Sequence, residues 1–400
     1  MILNESNQGF PIGCNQGIKI SEMENDIFLL NNDTVVMPNS LFWLRMGLYE
    51  EYKVGAVGSR SNYVYNYQII EEKYNSLEEY EAYAIKNNLP MVNPYEEKNW
   101  LQGFALLLKR QALDAVGLLD IRFTPGNYED NDIGYRLKRA GYAVRLCYNS
   151  FIYHYGSGGG SSLRIWNPVI ARNHQLFEDK WGFSEDYYKN KRMDLISLIQ
   201  QDKTVPIKVL DVGCGLGATM AGIQHLWPKA QAYGIEKNEK IAEMASYTFP
   251  VLQGDVEHID IPYEMGMFDY IILGDVFEQL YNPKKVLRKL TPYLKADGKY
   301  LCSISNFMNA KVLLNLVNGQ FTYEKSGIID SRSIRFFTLD SFMKMAEECR
   351  VQAEYVVNIF VKQSQEEEEL IKYLSSYPGG TVDPARFRVQ KYVLRMKVIQ

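Results

Sequence analysis

The chain has 400 residues, 46% apolar and 23% charged, which is ordinary globular usage and excludes disorder as the dominant state. Its net charge of −4 and pI near 5.8 offer no basic field to nucleic acid or an anionic membrane; no apolar run approaches the ~18 residues of a membrane helix, and the N-terminus does not read as a secretory signal. The five cysteines, Cys14, Cys147, Cys214, Cys302 and Cys349, are odd in number without a CxxC, which argues against a disulfide framework or zinc ribbon and for a reducing, cytoplasmic setting.

At about 150 residues per domain, this length holds two or three domains. The first elements run through Asn15-Gln-Gly17-Ile18 to Asp26-Ile-Phe-Leu-Leu-Asn31-Asn32-Asp33, an apolar strand ending in a carboxylate. A hard divalent cation between a diphosphate and a protein needs an acid on a rigid strand end, and Asp33 is placed for that. Next come Leu101-Gln102-Gly103-Phe104, Gly117-Leu-Leu-Asp120, and Tyr128-Glu129-Asp130-Asn131-Asp132 leading to Arg136, before Tyr153-His154 and the glycine run Gly156–Gly160. The acids could equally be the first turn of a helix, where the macrodipole favours them, and His154 could be structural.

In its order of motifs, the stretch from about Asn7 to Phe183 resembles the family-2 glycosyltransferases of GT-A fold. The resemblance implies that Asp33 binds Mn²⁺ or Mg²⁺ with a nucleotide-sugar diphosphate, and that His154 touches the metal or the diphosphate. It also implies that Asp130 is the acceptor base, supported by Glu129 and Asp132, and that Gly156–Gly160 is a flexible loop. Asn31 stands where an acid is common. The family's opening nucleotide-binding region is expected to be missing, which leaves a fragment of a longer bifunctional enzyme or a remnant that positions glycans.

Lys180–Lys203 reads as a polar helical stretch. The expected division is therefore 1–185 for the partial first domain, 186–203 for a helical linker and 204–400 for the second domain. Beyond it, short β-rich runs alternate with amphipathic segments, the pattern of a parallel α/β sheet. Val209–Thr219 (VLDVGCGLGAT) runs from a strand into Gly213, Gly215 and Gly217, which permit a tight turn and close ligand approach. A dinucleotide fingerprint would fit the glycines as well. Glu236 ends the next strand, about 20 residues on, where a carboxylate can accept ribose hydroxyls. Asp255-Val256 follows a third strand, where the acid could accept from the amine of adenine. Phe268–Leu280 gives a fourth strand and an acidic turn, and a helix, a Lys295-Ala-Asp-Gly298 turn and a fifth strand follow. Gln365–Glu369 reads as a solvated helix face, Pro378-Gly-Gly as a turn, and Phe387–Ile399 as a closing strand.

This order, over about Val205–Gln400, resembles the class I S-adenosylmethionine-dependent methyltransferases, which implies a Rossmann-like seven-stranded sheet whose last strand is antiparallel. It further implies that Asp211, Gly213, Gly215 and Gly217 line the methionine and ribose of the donor. Glu236 would hold the ribose, Asp255 and Val256 frame the adenine, and Gly274 and Asp275 lie beside the sulfonium. The histidines common in this branch are replaced by Gln279 and Ser333, leaving the methyl-transfer base unassigned. Phe307, Phe321, Tyr323 and Arg335 are the acceptor candidates, with lid core, or an Arg335–Asp330 pair, as the bland alternative. His225 and His258 lack metal spacing.

Together these readings give an α/β chain that methylates a sugar or glycan from S-adenosylmethionine. The alternatives are a family-2 glycosyltransferase using a nucleotide sugar, and a non-catalytic glycan-binding scaffold. No nucleic acid or integral membrane segment is expected.

Overall fold

The computed structural model describes residues 2–156, 163–187, 189–377 and 382–399. Most of the run Gly156–Gly160 and the Pro378-Gly-Gly turn lie outside them. The chain forms two compact units, Met1–Asn190 with Gly215–Leu226 and Glu243–Phe249, and Lys191–Cys214 with Trp227–Ala242 and Pro250–Gln400.

The first unit contains β1 (Ile27–Leu30), β2 (Thr34–Val35), β3 (Val54–Arg60), β4 (Tyr95–Glu97), β5 (Ala105–Leu108), β6 (Ala143–Phe151) and β7 (Tyr153–His154). Five of these form a mixed sheet in the order β1-β5-β3-β6-β4, and β2 pairs with β7. Alternate side chains serve opposite faces, as a period of two requires. Ala56, Leu106 and Leu108 enter a core with Ile27, Leu29 and Ile133, whereas Val57, Ala105 and Leu107 enter another with Leu44, Leu48 and Cys147. Burial on both faces gives near-continuous apolar strands such as Ala105–Leu108.

The second sheet contains β8 (Lys208–Val212), β9 (Gln231–Glu236), β10 (Val251–Gln253), β11 (Phe268–Gly274), β12 (Leu294–Ser305), β13 (Val351–Phe360) and β14 (Val389–Val398). Its order is β10-β9-β8-β11-β12-β14-β13. Strands β8 to β12 are parallel, and β14 is antiparallel to both neighbours, so it alone runs against the sheet. This is the closing strand expected near Phe387–Ile399, and the sheet has the seven strands and the antiparallel strand that the resemblance implied. One large apolar core includes Leu210, Ile271, Val286, Phe342 and Leu394. Its helices start where the sequence supplies caps. Asn282 accepts from Lys285 N–H ahead of Pro283, and Thr338 and Ser364 each form a capping box. The acidic run thus becomes the first turn of helix Gln365–Ser375.

Two sequence expectations need correction. Lys180–Lys203 is not one polar helix: a helix ends at Trp181, and within the remainder Met193–Ile196 is a separate four-residue helix. Leu195, Ile196, Leu198 and Ile199 are buried, an apolar pull that the charged neighbours disguised. Second, Lys295–Gly298 is a bulge within β12 rather than a turn before it. Phe268 pairs with Leu294 but Tyr270 already pairs with Lys299, so the extra residues loop out without ending the strand.

Phe342 is fully buried and meets Phe277 and Phe337 edge-on. Phe342→Ala should cost about 3–5 kcal/mol, seen as a lower urea midpoint; an unchanged midpoint would contradict this packing.

Candidate functional site

Strands β9 and β10 lie to one side of β8, and β11 and β12 lie to the other. The chain direction across the sheet therefore reverses between β8 and β11, and in open α/β sheets ligands bind beyond the carboxyl ends of the strands at such a switch. Register aligns these ends: Val212 pairs with Ile235 and Leu273, Gln253 with Glu236, and Gly274 with Ser303.

The glycine loop starts where β8 stops. Gly213 and Gly217 have φ of 72° and 84°, values that L-residues seldom adopt. A Cβ on Gly213 would approach Val276 to 3.0 Å, and one on Gly217 would meet the Phe249 ring at 2.8 Å. Gly215 also has positive φ, at 54°. The amides of Gly213 and Cys214 both donate to Ile235 O, at 2.8 and 3.1 Å, which ties the start of the loop to the end of β9.

Around this loop stand the predicted acids. Asp211 and Glu236 are each 5% exposed. Burial first, and then the charge of Glu236, pushes the Asp211 carboxyl up to about 7 against the opposing pull of Arg192. Glu236 Oε1 accepts from Asn238 N–H at 2.8 Å, which fixes the acid at the strand end. Asp255 is held by its neighbours. Its Oδ1 accepts from Glu257 N–H at 3.0 Å, and its Oδ2 faces Lys237 at 2.8 Å and His258 at 3.5 Å. Val256 lies in the apolar core.

Asp275 has the left-handed φ of 56°. Its Oδ1 accepts from Ser303 Oγ at 2.6 Å, and its Oδ2 meets Lys391 Nζ at 2.6 Å and Arg192 at 3.0 Å. Burial alone would raise its pKa, but Lys391, Arg192 and Ser303 outweigh it and hold the carboxyl below the usual range. Arg192 is the residue that sequence reasoning missed. A Cβ on Gly274 would lie 2.8 Å from its guanidinium, so the missing side chain makes its room. The available signal was an arginine set among buried leucines and isoleucines in a stretch read as linker.

Gln279 donates to Asp275 O at 2.9 Å. Asp330 pairs with Arg332, not Arg335, whose guanidinium binds the carbonyls of Leu280 and Tyr281. Phe307, Phe321 and Tyr323 do come together, joined by Phe336, with ring centroids 4.8–6.5 Å apart; Phe321 and Tyr323 are 45% and 51% exposed.

In the first unit, β2 and β7 pair Thr34 with His154. His154 Nε2 lies 3.2 Å from Asp33 Oδ1 and 3.5 Å from Asn31 Nδ2, and Nδ1 donates to Tyr63 O at 2.7 Å. The structure thus brings together residues more than a hundred positions apart. Among the described residues, no group of three or more His, Cys, Asp or Glu is gathered as a metal site. Asp130 accepts from the amides of Gly103 and Asn131 at 3.0 and 2.9 Å, and burial raises its pKa. Glu129, beside it, is buried with Oε2 unpartnered. Asp132 has partners of its own. It is fully buried, with Arg136 at 2.8 Å, Lys180 at 2.5 Å and Trp181 Nε1 at 3.1 Å, so it anchors the fold. No helix among the described residues is long and apolar enough to cross a membrane.

The family model described as methionine biosynthesis protein MetW matches residues 192–377. An uncharacterised protein of Methanocaldococcus jannaschii is 26% identical over 187 residues, 46% of this chain and 66% of that protein. The malonyl-[acyl-carrier protein] O-methyltransferase of Bacillus cereus is 28% identical over 171 residues, 36% of this chain and 62% of that protein. The chain thus spans about two thirds or less of these relatives' length. A solved SAM-dependent methyltransferase of Thermotoga maritima has a TM-score of 0.37 at 17% identity, covering 57% of this chain and 95% of that one.

The raised Asp211 pKa has a consequence for stability. Its folded value of about 7 exceeds the ordinary value of about 4, so the folded state holds the proton more tightly. The resulting stability is full below about pH 4 and is lost as pH rises through 7. Urea denaturation should show a decline between pH 4.5 and 7.5 that is shallower in Asp211→Asn; an equal decline in both proteins would contradict the assignment.

Proposed function

We propose that the second half of the chain transfers a methyl group from S-adenosylmethionine to a hydroxyl of a sugar or glycan. The observation that supports this most is the convergence, beyond the β8/β11 switch, of a positive-φ glycine loop with the buried acids Asp211 and Glu236 and the fixed Asp275. The donor set suits a cationic nucleoside. In this reading Glu236 accepts from the ribose hydroxyls, Gly213, Gly215 and Gly217 let the donor lie against the backbone, Asp211 lies toward its methionine moiety, and Asp275 stands beside its sulfonium. Asp255 turns toward adenine while still held by Glu257 N–H, and Val256 walls that side. When bound, the donor supplies an already activated methyl group, so the protein's work is alignment and exclusion of water.

The glycan acceptor is supported by the half-exposed rings of Phe321 and Tyr323, backed by Phe307 and Phe336, since aromatic faces pack against apolar sugar C–H surfaces. The Bacillus cereus relative bears the name of an enzyme acting on malonyl-[acyl-carrier protein], which supports methyl transfer to oxygen but not this acceptor.

A second reading, glycosyl transfer by a GT-A domain in the first half, is favoured by the Asp33–His154 pair. Because Nδ1 donates to a carbonyl, Nε2 faces the carboxylate with either a second proton or a lone pair. The lone-pair form suits a shared Mn²⁺ or Mg²⁺, with Tyr63 O holding the ring as outer-shell groups do for metal-bound histidines. Asp130 would be the base of that reaction, with Glu129 beside it.

Glu236→Ala should weaken S-adenosylhomocysteine binding at least about tenfold by calorimetry, as loss of a charged hydrogen-bonding group costs ~1.5–3 kcal/mol. Unchanged affinity, or no binding by the native chain, would overturn the donor site. For the second reading, Mn²⁺ binding followed by electron paramagnetic resonance should be lost in Asp33→Ala and retained in Asp132→Asn if the variants remain folded; retention in Asp33→Ala would remove that reading.

A further inference from the structure

Glu278 lies in the 3₁₀ turn Phe277–Gln279 after β11. It is 3% exposed. Oε1 accepts from Ser305 N–H, at the end of β12, at 2.6 Å. Oε2 is buried and has no hydrogen-bond partner, an arrangement that costs the folded protein and calls for a reason. The carbonyl of the same residue accepts from Ile334 and Arg335 N–H at 2.8 and 3.0 Å. Those two residues belong to the segment that carries Phe336, so Glu278 connects the turn beside Asp275 with the aromatic group.

A hydroxyl acceptor must lose a proton when it is methylated, and the usual candidates do not supply a base. Gln279 cannot take a proton, and Ser333 would itself need a base. Asp275 is held ionised by two cations and a hydroxyl, which makes it a poor proton acceptor. We infer that Glu278 is the catalytic base, its unpartnered Oε2 receiving the proton of an un-ionised hydroxyl acceptor. This inference rests on the methyltransferase reading. The acceptor oxygen bonds to the methyl carbon as the carbon–sulfur bond breaks, and that bond's electron pair stays on sulfur. The oxygen's proton passes to Oε2 and then to water once product leaves. An acceptor hydroxyl would also give Oε2 the partner it lacks.

The surroundings suit the task. Asp275 on the adjoining turn, Lys391 on β14, and Cys302 and Ser305 on β12 face the carboxyl. Burial first, and then the charge of Asp275, pushes its pKa up to about 7, against the amide bonds and Lys391. A base working near neutrality is best matched there.

The test compares the full chain with Glu278→Gln, using methyl-tritiated S-adenosylmethionine and two probes, 4-nitrophenyl β-D-glucopyranoside as hydroxyl and 4-nitrothiophenolate as a nucleophile already ionised. The ratio of hydroxyl to thiolate methylation should fall about 100-fold in the variant, within the range for general-base loss, and an unchanged ratio would overturn the inference. Infrared spectra of the S-adenosylhomocysteine complex should contain a carboxyl band, absent from Glu278→Gln, that titrates between about pH 5.5 and 8.5. A band that does not titrate there overturns the inference whatever the probes do. S-adenosylhomocysteine affinity, measured first, separates this failure from failure of the donor site: a native chain that does not bind it overturns both.

Discussion

The carboxylate of Asp275 is where the second half of the chain is drawn together. It takes Arg192 from the segment before β8, Ser303 from β12 and Lys391 from β14, while its own backbone bends into the left-handed region. Asp275 is only half-buried, so removing one cation would weaken this junction by leaving its charge less compensated. The arrangement therefore fixes the end of β11 relative to its neighbours, and with it the gap at the β8/β11 switch. Gly274 is small because Arg192 occupies the space beside it.

The glycine loop, the acids and the proposed base follow from that constraint. Positive-φ glycines carry the chain away from β8 without side chains in the way, and the loop amides lean on Ile235. Asp211 and Glu278 share a condition that Asp275 escapes: both are buried with too little positive charge nearby, and both are pushed up to about 7. One sheet edge thus holds acids of opposite character, one kept ionised by cations and two poised near neutrality. Environments that separate the pKa values of like groups are a recurrent basis for dividing roles among carboxyls.

Much of this was legible in the residues. A glycine-rich turn after an apolar strand, acids at or just past the ends of β9, β10 and β11, and a long β-branched closing segment suffice to set out the second sheet, because hydrophobic runs and turn chemistry are local. What could not be read was long-range pairing. Arg192 looked like part of a polar linker because its partners are 83 and 111 positions away. Asp132 sat in an attractive acidic cluster, yet only packing reveals that Arg136, Lys180 and Trp181 consume it. The meeting of Asp33 with His154 required the β2–β7 pairing, which two-residue strands scarcely announce. The bulge at Lys295–Gly298 has turn-like composition, and only its register shows that the strand continues.

Everything proposed for the second sheet depends on a methyl donor binding beyond the β8/β11 switch. A crystal structure of the full chain grown with S-adenosylhomocysteine tests it most directly. The expected density places the ribose hydroxyls on Glu236, the backbone of Gly213–Gly217 against the amino-acid moiety, and the sulfur beside Gly274 and Asp275. Ligand density elsewhere in the molecule, with this edge of the sheet unchanged, would contradict it.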